Sequence, residues 1–200
     1  RSVLKNPISI PPKLENFPFP DRELYSNYNY LYKKSYRYIL TGRGCPYKCS
    51  YCINSALKGI FSNKYVRKRD VKDVLSEIKQ VSPFLQNKPI LFLDETFTYD
   101  RIWLESFLEQ YKAKFKIPFY CTVRPENVDY RLLSLMKKAS CRGIKFGIES
   151  FDSKIRYGVL NRKIPQERIY LLVKYAKQLK LRVLTYNILG INKSFEEDVF

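Results

Sequence analysis

Apolar positions along the chain switch between two spacings. Short apolar or alternating runs fall at 36–41, 89–93, 118–123, 143–148 and 182–189. Between them, apolar residues recur every three or four positions: Val71, Val74, Leu75, Ile78 and Val81; Trp103, Phe107, Leu108 and Tyr111; Leu132, Leu133, Leu135 and Met136; Ile169, Leu172, Val173, Ala176 and Leu179. The first pattern predicts strands and the second predicts helices with one buried face. Strand and helix in repeated alternation require parallel strands joined by crossover helices. The fold class is therefore α/β, a partial (βα)6 TIM-type barrel with about five units present. The stretch from Ser194 to Phe200 is read as the start of the fifth helix, with a sixth unit expected beyond it.

Residues 1–35 lack this periodicity and carry Pro7, Pro11, Pro12, Pro18 and Pro20. They read as an extended inter-domain linker, followed by one core domain over 36–200 that is incomplete at its C-terminus. The chain opens on Arg1 rather than Met, and both ends are read as cut from a longer protein.

Composition narrows the class. Hydrophobic residues make up 45% of the chain, which predicts a buried core and argues against disorder. The formal net charge of +18 raises a nucleic-acid or anionic partner. The basic residues are spread, however, and accompany abundant Lys, Asn, Tyr and Ile, as AT-rich coding tends to produce. Lys64, Arg67, Lys68, Arg69 and Lys72 do cluster before a predicted helix, and that run is read as a solvated face. No apolar run approaches a membrane span. Five Cys and no His are present, with three of the Cys inside 45–52. That is metal spacing rather than a secreted disulfide framework, and it implies a reducing cytoplasm.

The candidate chemistry lies in Gly42-Arg43-Gly44-Cys45-Pro46-Tyr47-Lys48-Cys49-Ser50-Tyr51-Cys52, directly after the first predicted strand. Three thiolates at C-x3-C-x2-C spacing can hold three irons of a [4Fe–4S] cube, which leaves the fourth iron open to a small molecule. A structural zinc site or an electron-transfer cluster wants a fourth protein ligand, for which Cys121 and Cys141 are the remaining thiols. Each later strand is predicted to end on a polar or special residue: Asp94-Glu95, Arg124, Glu149-Ser150 and Gly190. In parallel barrels that edge is where functional groups collect.

This loop resembles the signature of the radical SAM superfamily. Phe92-Leu93-Asp94-Glu95-Thr96-Phe97, Phe146-Gly147-Ile148-Glu149-Ser150 and Pro18-Phe19-Pro20-Asp21-Arg22-Glu23-Leu24 resemble stretches of its cobalamin-associated branch. The resemblance implies a [4Fe–4S] cluster on Cys45, Cys49 and Cys52 whose open iron chelates S-adenosylmethionine (SAM). It further implies reductive cleavage of SAM and radical chemistry on an unidentified small-molecule substrate, with methyl transfer the commonest outcome in that branch and ring formation or rearrangement also known there. Cobalamin would be held by a domain preceding this chain, and a flavodoxin- or ferredoxin-like protein would supply electrons.

Residue by residue, the resemblance implies that Tyr51 contacts adenine, with loop packing as the alternative. It implies that Asp94 or Glu95 binds the methionine ammonium, against a role capping the helix near Asp100. Arg124 would meet the SAM carboxylate, or else pair with Glu126 or Asp129. Glu149 and Ser150 would read the ribose hydroxyls, and Gly190 would let backbone approach adenine. Cys121 and Cys141 are read as small buried hydrophobes. The competing function is an RNA-modifying radical SAM enzyme of the tRNA methylthiolation or carboxymethylation type, using the positive charge to bind RNA. A cluster-binding regulator without turnover is the third reading.

Overall fold

A computed structural model of the chain describes residues 9, 11–25, 28, 35–61, 64–84 and 87–191. In chain order the elements are β1 (Arg37–Ile39), β2 (Gly42–Arg43), α1 (Ile53–Phe61), β3 (Arg67–Lys68), α2 (Val71–Val81), β4 (Ile90–Phe92), α3 (Arg101–Lys114), β5 (Phe119–Thr122), α4 (Tyr130–Lys138), β6 (Cys141–Glu149), α5 (Gln166–Gln178) and β7 (Arg182–Asn187). β1, β4, β5, β6 and β7 form one five-stranded sheet in that order, every neighbouring pair parallel. β2 and β3 form a separate antiparallel pair. The expected α/β architecture is the one observed. The expected helix start at 194–200 lies outside the described residues.

One sheet face is covered by helices. Ile39, Phe92, Cys121 and Ile144 point there and are at most 2% exposed. They join Val74 and Ile78 of α2, Leu104 and Phe107 of α3, Leu132 and Met136 of α4, and Ile169 and Leu172 of α5 in a single core. Phe92 is a hub of this core, stacked on Phe97 at 4.7 Å and edge-on to Phe107 and Phe119. Two helices start on side-chain caps: Asp100 accepts from Trp103 N at 3.0 Å, and Asp129 accepts from Leu132 N at 2.7 Å.

Four features depart from the sequence expectations. α1 follows the last cysteine and is not among the expected helices; apolar residues recur at 53, 56, 57, 60 and 61, yet Asn54 is its buried residue and Ile53 and Ile60 are exposed. β7 is mostly exposed rather than core-like, because it is an edge strand among the described residues. A π-helical turn, Ile155–Val159, follows β6 and encloses the wholly buried Arg156, whose guanidinium donates to the carbonyls of Ser150, Phe151 and Ile164.

The fourth departure corrects the reading of the basic cluster as a solvated face at Lys68 and Arg69, whereas Lys64 and Lys72 are exposed as expected. Lys68 pairs with Asp94 at 2.8 Å, their side chains 7% and 4% exposed, and its ammonium sits 4.3 Å from the Trp103 ring centroid. Arg69 pairs with Asp73 and Glu77. A run of cations reads as surface until tertiary partners are known, and here the partners come from β4, α2 and α3.

Part of the Pro-rich stretch lies against the sheet's β1 edge. Arg22 reaches Glu77 at 2.5 Å and Tyr38 O at 3.3 Å, while Glu15 accepts from Asp70 N at 2.8 Å. Leu40 O accepts from Arg69 Nη1 at 2.9 Å. Side-chain donors thus occupy carbonyls along an edge that strand pairing leaves open. No helix among the described residues is long and apolar enough to cross a membrane.

Candidate functional site

The cysteine loop is held from both sides. Gly44 has φ +84°, and a Cβ there would lie 2.7 Å from Tyr65 O, so the residue at this turn must lack one. Cys52 N donates to Cys49 O and Ser55 N to Cys52 O, carrying the loop straight into α1. On the other flank, Ser50 N donates to Leu160 O, Ser50 Oγ to Val159 O, and Asn161 Nδ2 to Lys48 O. The segment after the π-turn therefore acts as a wall for the loop.

Each thiol has its own polar neighbour. Cys45 Sγ lies 3.7 Å from Thr96 Oγ1. Cys49 Sγ accepts from Arg124 Nη1 at 3.5 Å and Arg162 Nη1 at 3.7 Å. Cys52 Sγ accepts from Asn54 Nδ2 at 3.5 Å, and Asn54 Oδ1 in turn accepts from Tyr65 OH. Burial pushes the Cys45 thiol up, partly opposed by the Tyr47 backbone and by Thr96. Two guanidiniums thus converge on the Cys49 sulfur. Among the described residues no group of three His, Cys, Asp or Glu is placed to hold a single metal ion. Cys121 and Cys141 are fully buried in the core behind the sheet and add no ligand to the loop. The donor set thus fits a cluster that takes three cysteines.

The strand ends surround this loop. Asp94, after β4, accepts from Thr41 N at 2.7 Å and from Thr41 Oγ1, and pairs with Lys68. Its carboxylate thus fastens the residue that precedes β2, and the α3 cap is Asp100 instead. Glu95 is exposed, and its carbonyl accepts from Thr96 Oγ1. Arg124, after β5, stacks on Tyr47 with its guanidinium 3.6 Å from the ring centroid and pairs with Glu126. Burial works against the Arg124 charge, but Glu126 and Cys49 outweigh it and hold the guanidinium above its ordinary range. Asp129 pairs with Arg101 instead.

Glu149 ends β6 at a register shift, with φ +67°. A bulge and a left-handed non-glycine backbone together re-aim its side chain. Its Oε1 accepts from Tyr51 OH at 2.8 Å. Arg162 closes the group, donating to Tyr51 OH at 3.4 Å and to Gly147 O at 2.7 Å. Burial, with Glu149 adding to it, pushes the Tyr51 phenol well up, so it stays protonated and donating. Ser150 is buried, its Oγ accepting from Asp152 N within the turn after β6. Gly190, after β7, has φ +77° and open space where a Cβ would stand.

The structure thus brings Tyr51, Arg124 and Glu149 beside the cysteines, engages Asp94 in the frame of the loop, turns Ser150 into its own turn and leaves Glu95 and Gly190 at the periphery. Sequence reasoning missed Arg162, Thr96, Asn54 and Tyr65. Arg162 lies beyond a strand end, in a loop whose path depends on the π-turn, and carries no local signal. Asn54 sits two positions after Cys52, where a helical turn brings its amide back to the thiol. A cleft of about 500 Å³ between residues 12–22 and the β1 edge contains none of the three cysteines; the chemistry marks the site and the size of a cavity does not.

The chain is 29% identical over 162 residues to the uncharacterized methyltransferase PH0819 of Pyrococcus horikoshii, covering 80% of this chain and 34% of that protein. It is 25% identical over 199 residues to cytidylyl-2-hydroxyethylphosphonate methyltransferase of Streptomyces wedmorensis, covering 92% of this chain and 36% of that one. The chain therefore spans about a third of the length of the curated relatives it matches. Its fold matches the radical SAM methyltransferase TsrM of Kitasatospora setae, solved with cobalamin and a [4Fe–4S] cluster bound, with a TM-score of 0.71 at 17% identity over 82% of this chain and 33% of that one. A family model for the radical SAM superfamily matches residues 39–199, and the chain belongs to that superfamily.

Proposed function

We propose that this chain is the radical SAM core of a cobalamin-dependent methyltransferase. Cys45, Cys49 and Cys52 hold a [4Fe–4S] cluster, and SAM lies between the cysteine loop and the ends of β5 and β6. The observation that carries this reading is the convergence on one sheet end of three thiols, each with its own polar neighbour, and of the Tyr51–Glu149–Arg162 group. When bound, the cluster and cobalamin supply electron transfer and methyl carriage.

The chain's own residues do the positioning. Arg124 and Arg162 offset the negative charge of the cluster at Cys49 and present cations to the carboxylate of SAM. Glu149 and Tyr51 offer an acceptor and a donor to a ribose diol. Asp94 holds the loop through Thr41, so its contribution to SAM binding is indirect. The methyltransferase relatives and the cobalamin in TsrM support a cobalamin-binding domain outside this chain. Because the chain contains no His, any His ligand to cobalt would come from elsewhere. The RNA-modifying reading rests on charge, and the inward pairing of Lys68 and Arg69 removes its best local support.

Anaerobic reconstitution of the full-length protein tests the reading. We expect about four irons per chain, abolished by alanine at Cys45, Cys49 or Cys52 and spared by Cys121→Ala and Cys141→Ala. Mass spectrometry should detect 5′-deoxyadenosine or S-adenosylhomocysteine formed from SAM. Stoichiometric zinc without iron–sulfur absorbance sinks the assignment.

A further inference from the structure

The sheet face opposite the helices carries a cation that the site above does not use. Register places side chains in layers on that face: Tyr38, Leu91, Tyr120, Gly143 and Arg182 in one, and Thr122, Lys145 and Leu184 in the next. Gly147 and Tyr186 stand in the layer above, where a Cβ on Gly147 would strike Glu149 and Arg162. Lys145 is therefore two residues, roughly 6–7 Å, below the Tyr51–Glu149–Arg162 group.

The lysine's surroundings are apolar and aromatic. A Cβ on Gly143 would lie 2.9 Å from the Tyr120 ring, which confirms that Tyr120 lies across this face. Tyr120 meets Tyr36 edge-on at 5.2 Å, and Lys145 Nζ is 5.4 Å from the Tyr36 ring centroid. Leu184, beside Lys145 in the register, is 47% exposed, and Leu93, two positions beyond Leu91 on the same face, is 46% exposed. Among the described residues no carboxylate pairs with Lys145, whereas Lys68 has Asp94. Arg182 adds a second cation one layer lower. An ammonium beside the Tyr36 ring, with Leu184 next to it in the register and no acid paired with it among the described residues, is free to take an anionic partner.

We propose that Lys145 anchors an anionic group of the substrate, a carboxylate or a phosphate, whose apolar body lies against Leu93 and Leu184 one layer below SAM. This rests on the SAM-site reading given above and adds the chemical class of the substrate to it. Atoms of a substrate tethered there would be presented to the layer of Gly147 and Tyr186, next to the place where SAM would react.

Cluster-loaded, SAM-saturated full-length protein tests this with three probes: 3-phenylpropionate, phenyl phosphate and the neutral 3-phenylpropionamide. Dissociation constants come from titration calorimetry. We expect at least one anion to bind tighter than the amide. Lys145→Met should weaken that anion at least about tenfold, equivalent to ~1.4 kcal/mol, and leave the amide within about twofold. Lys145→Arg should restore anion binding, and the preferred anion identifies the group. Equal affinity of wild type for anions and amide overturns the proposal, as does an unchanged anion constant in Lys145→Met and, should that variant fold poorly, in Lys145→Gln. SAM consumption without probe is measured in parallel in the wild type. Its absence from wild type refutes the enzymatic reading, and the probe constants still decide the role of Lys145.

Discussion

A methyl group at position 147 has nowhere to go. The added Cβ would lie 1.9 Å from Glu149 Oε1 and 3.2 Å from Arg162 Nη2. Glu149 is already held at φ +67°, so it has little freedom to move aside. We expect Gly147→Ala to lower SAM affinity at least about tenfold while leaving iron content intact, as measured by equilibrium dialysis and iron analysis of reconstituted protein. Loss of iron together with SAM would place the Glu149 group in the cluster seat instead. Asp94 is a different kind of residue. It is 4% exposed and neutralises Lys68 while gripping Thr41. Breaking a buried pair by removing one partner typically costs 3–5 kcal/mol, since the survivor stays charged and unpaired. Asp94→Asn should therefore lower stability by about that much in urea unfolding, and reconstitution yield should fall with it. A variant of normal stability but poor SAM affinity would instead mark Asp94 as a direct SAM ligand.

The helices α2 to α5 owe their placement to one apolar stripe each, and some also to a cap. Asp129 caps α4 and pairs with Arg101, which holds its carboxyl below the ordinary range. A depressed carboxyl contributes stability above its ordinary pKa, and that contribution is lost as pH falls through the lowered value. Asp129→Ala should cost about 1 kcal/mol near neutral pH, and the gap from wild type should close as pH drops below about 4. Urea unfolding at several pH values checks the sign; a gap that widens in acid contradicts it. Phe92 is the corresponding test for the sheet. It is fully buried with four aromatic rings around it, so Phe92→Ala should cost about 3–5 kcal/mol, read as a lower denaturation midpoint.

Across the whole molecule, the excess of cations is less available than its count suggests. Several of the clustered basic residues are consumed internally, and Arg22 ties the Pro-rich stretch to α2 through Glu77. Charge that remains on the surface can still draw nucleic acid without specificity. We expect any tRNA association to disappear by about 0.2 M salt, as followed by gel shift, because non-specific binding is mainly counterion release. A complex that persists at that salt would favour the RNA-modifying reading. The two edges of the sheet also differ. Side-chain donors from residues 22 and 69 cover β1, whereas β7 is exposed along most of its length.

The alternation of spacings determined the α/β class, because buried parallel strands and one-faced helices demand different apolar periods. The cysteine spacing singled out the three candidate thiols for the same kind of reason: three donors on one short loop are a local property. The positions of Arg124 and Glu149 at the rim were also legible, since a parallel sheet brings the ends of its strands together. What only the tertiary structure decided depends on partners distant in sequence. Arg162 meets Cys49 because a π-turn folds back over the loop, and no periodicity announces that path. Lys68 looked like surface and proved to be an inward charge, because Asp94 and Trp103 reach it from β4 and α3. Ser150 and Glu149 are adjacent, yet a bulge and a positive φ turn one toward Tyr51 and leave the other in its own turn. Backbone irregularities of that kind are settled by the packing around them and leave no mark in the pattern of residues.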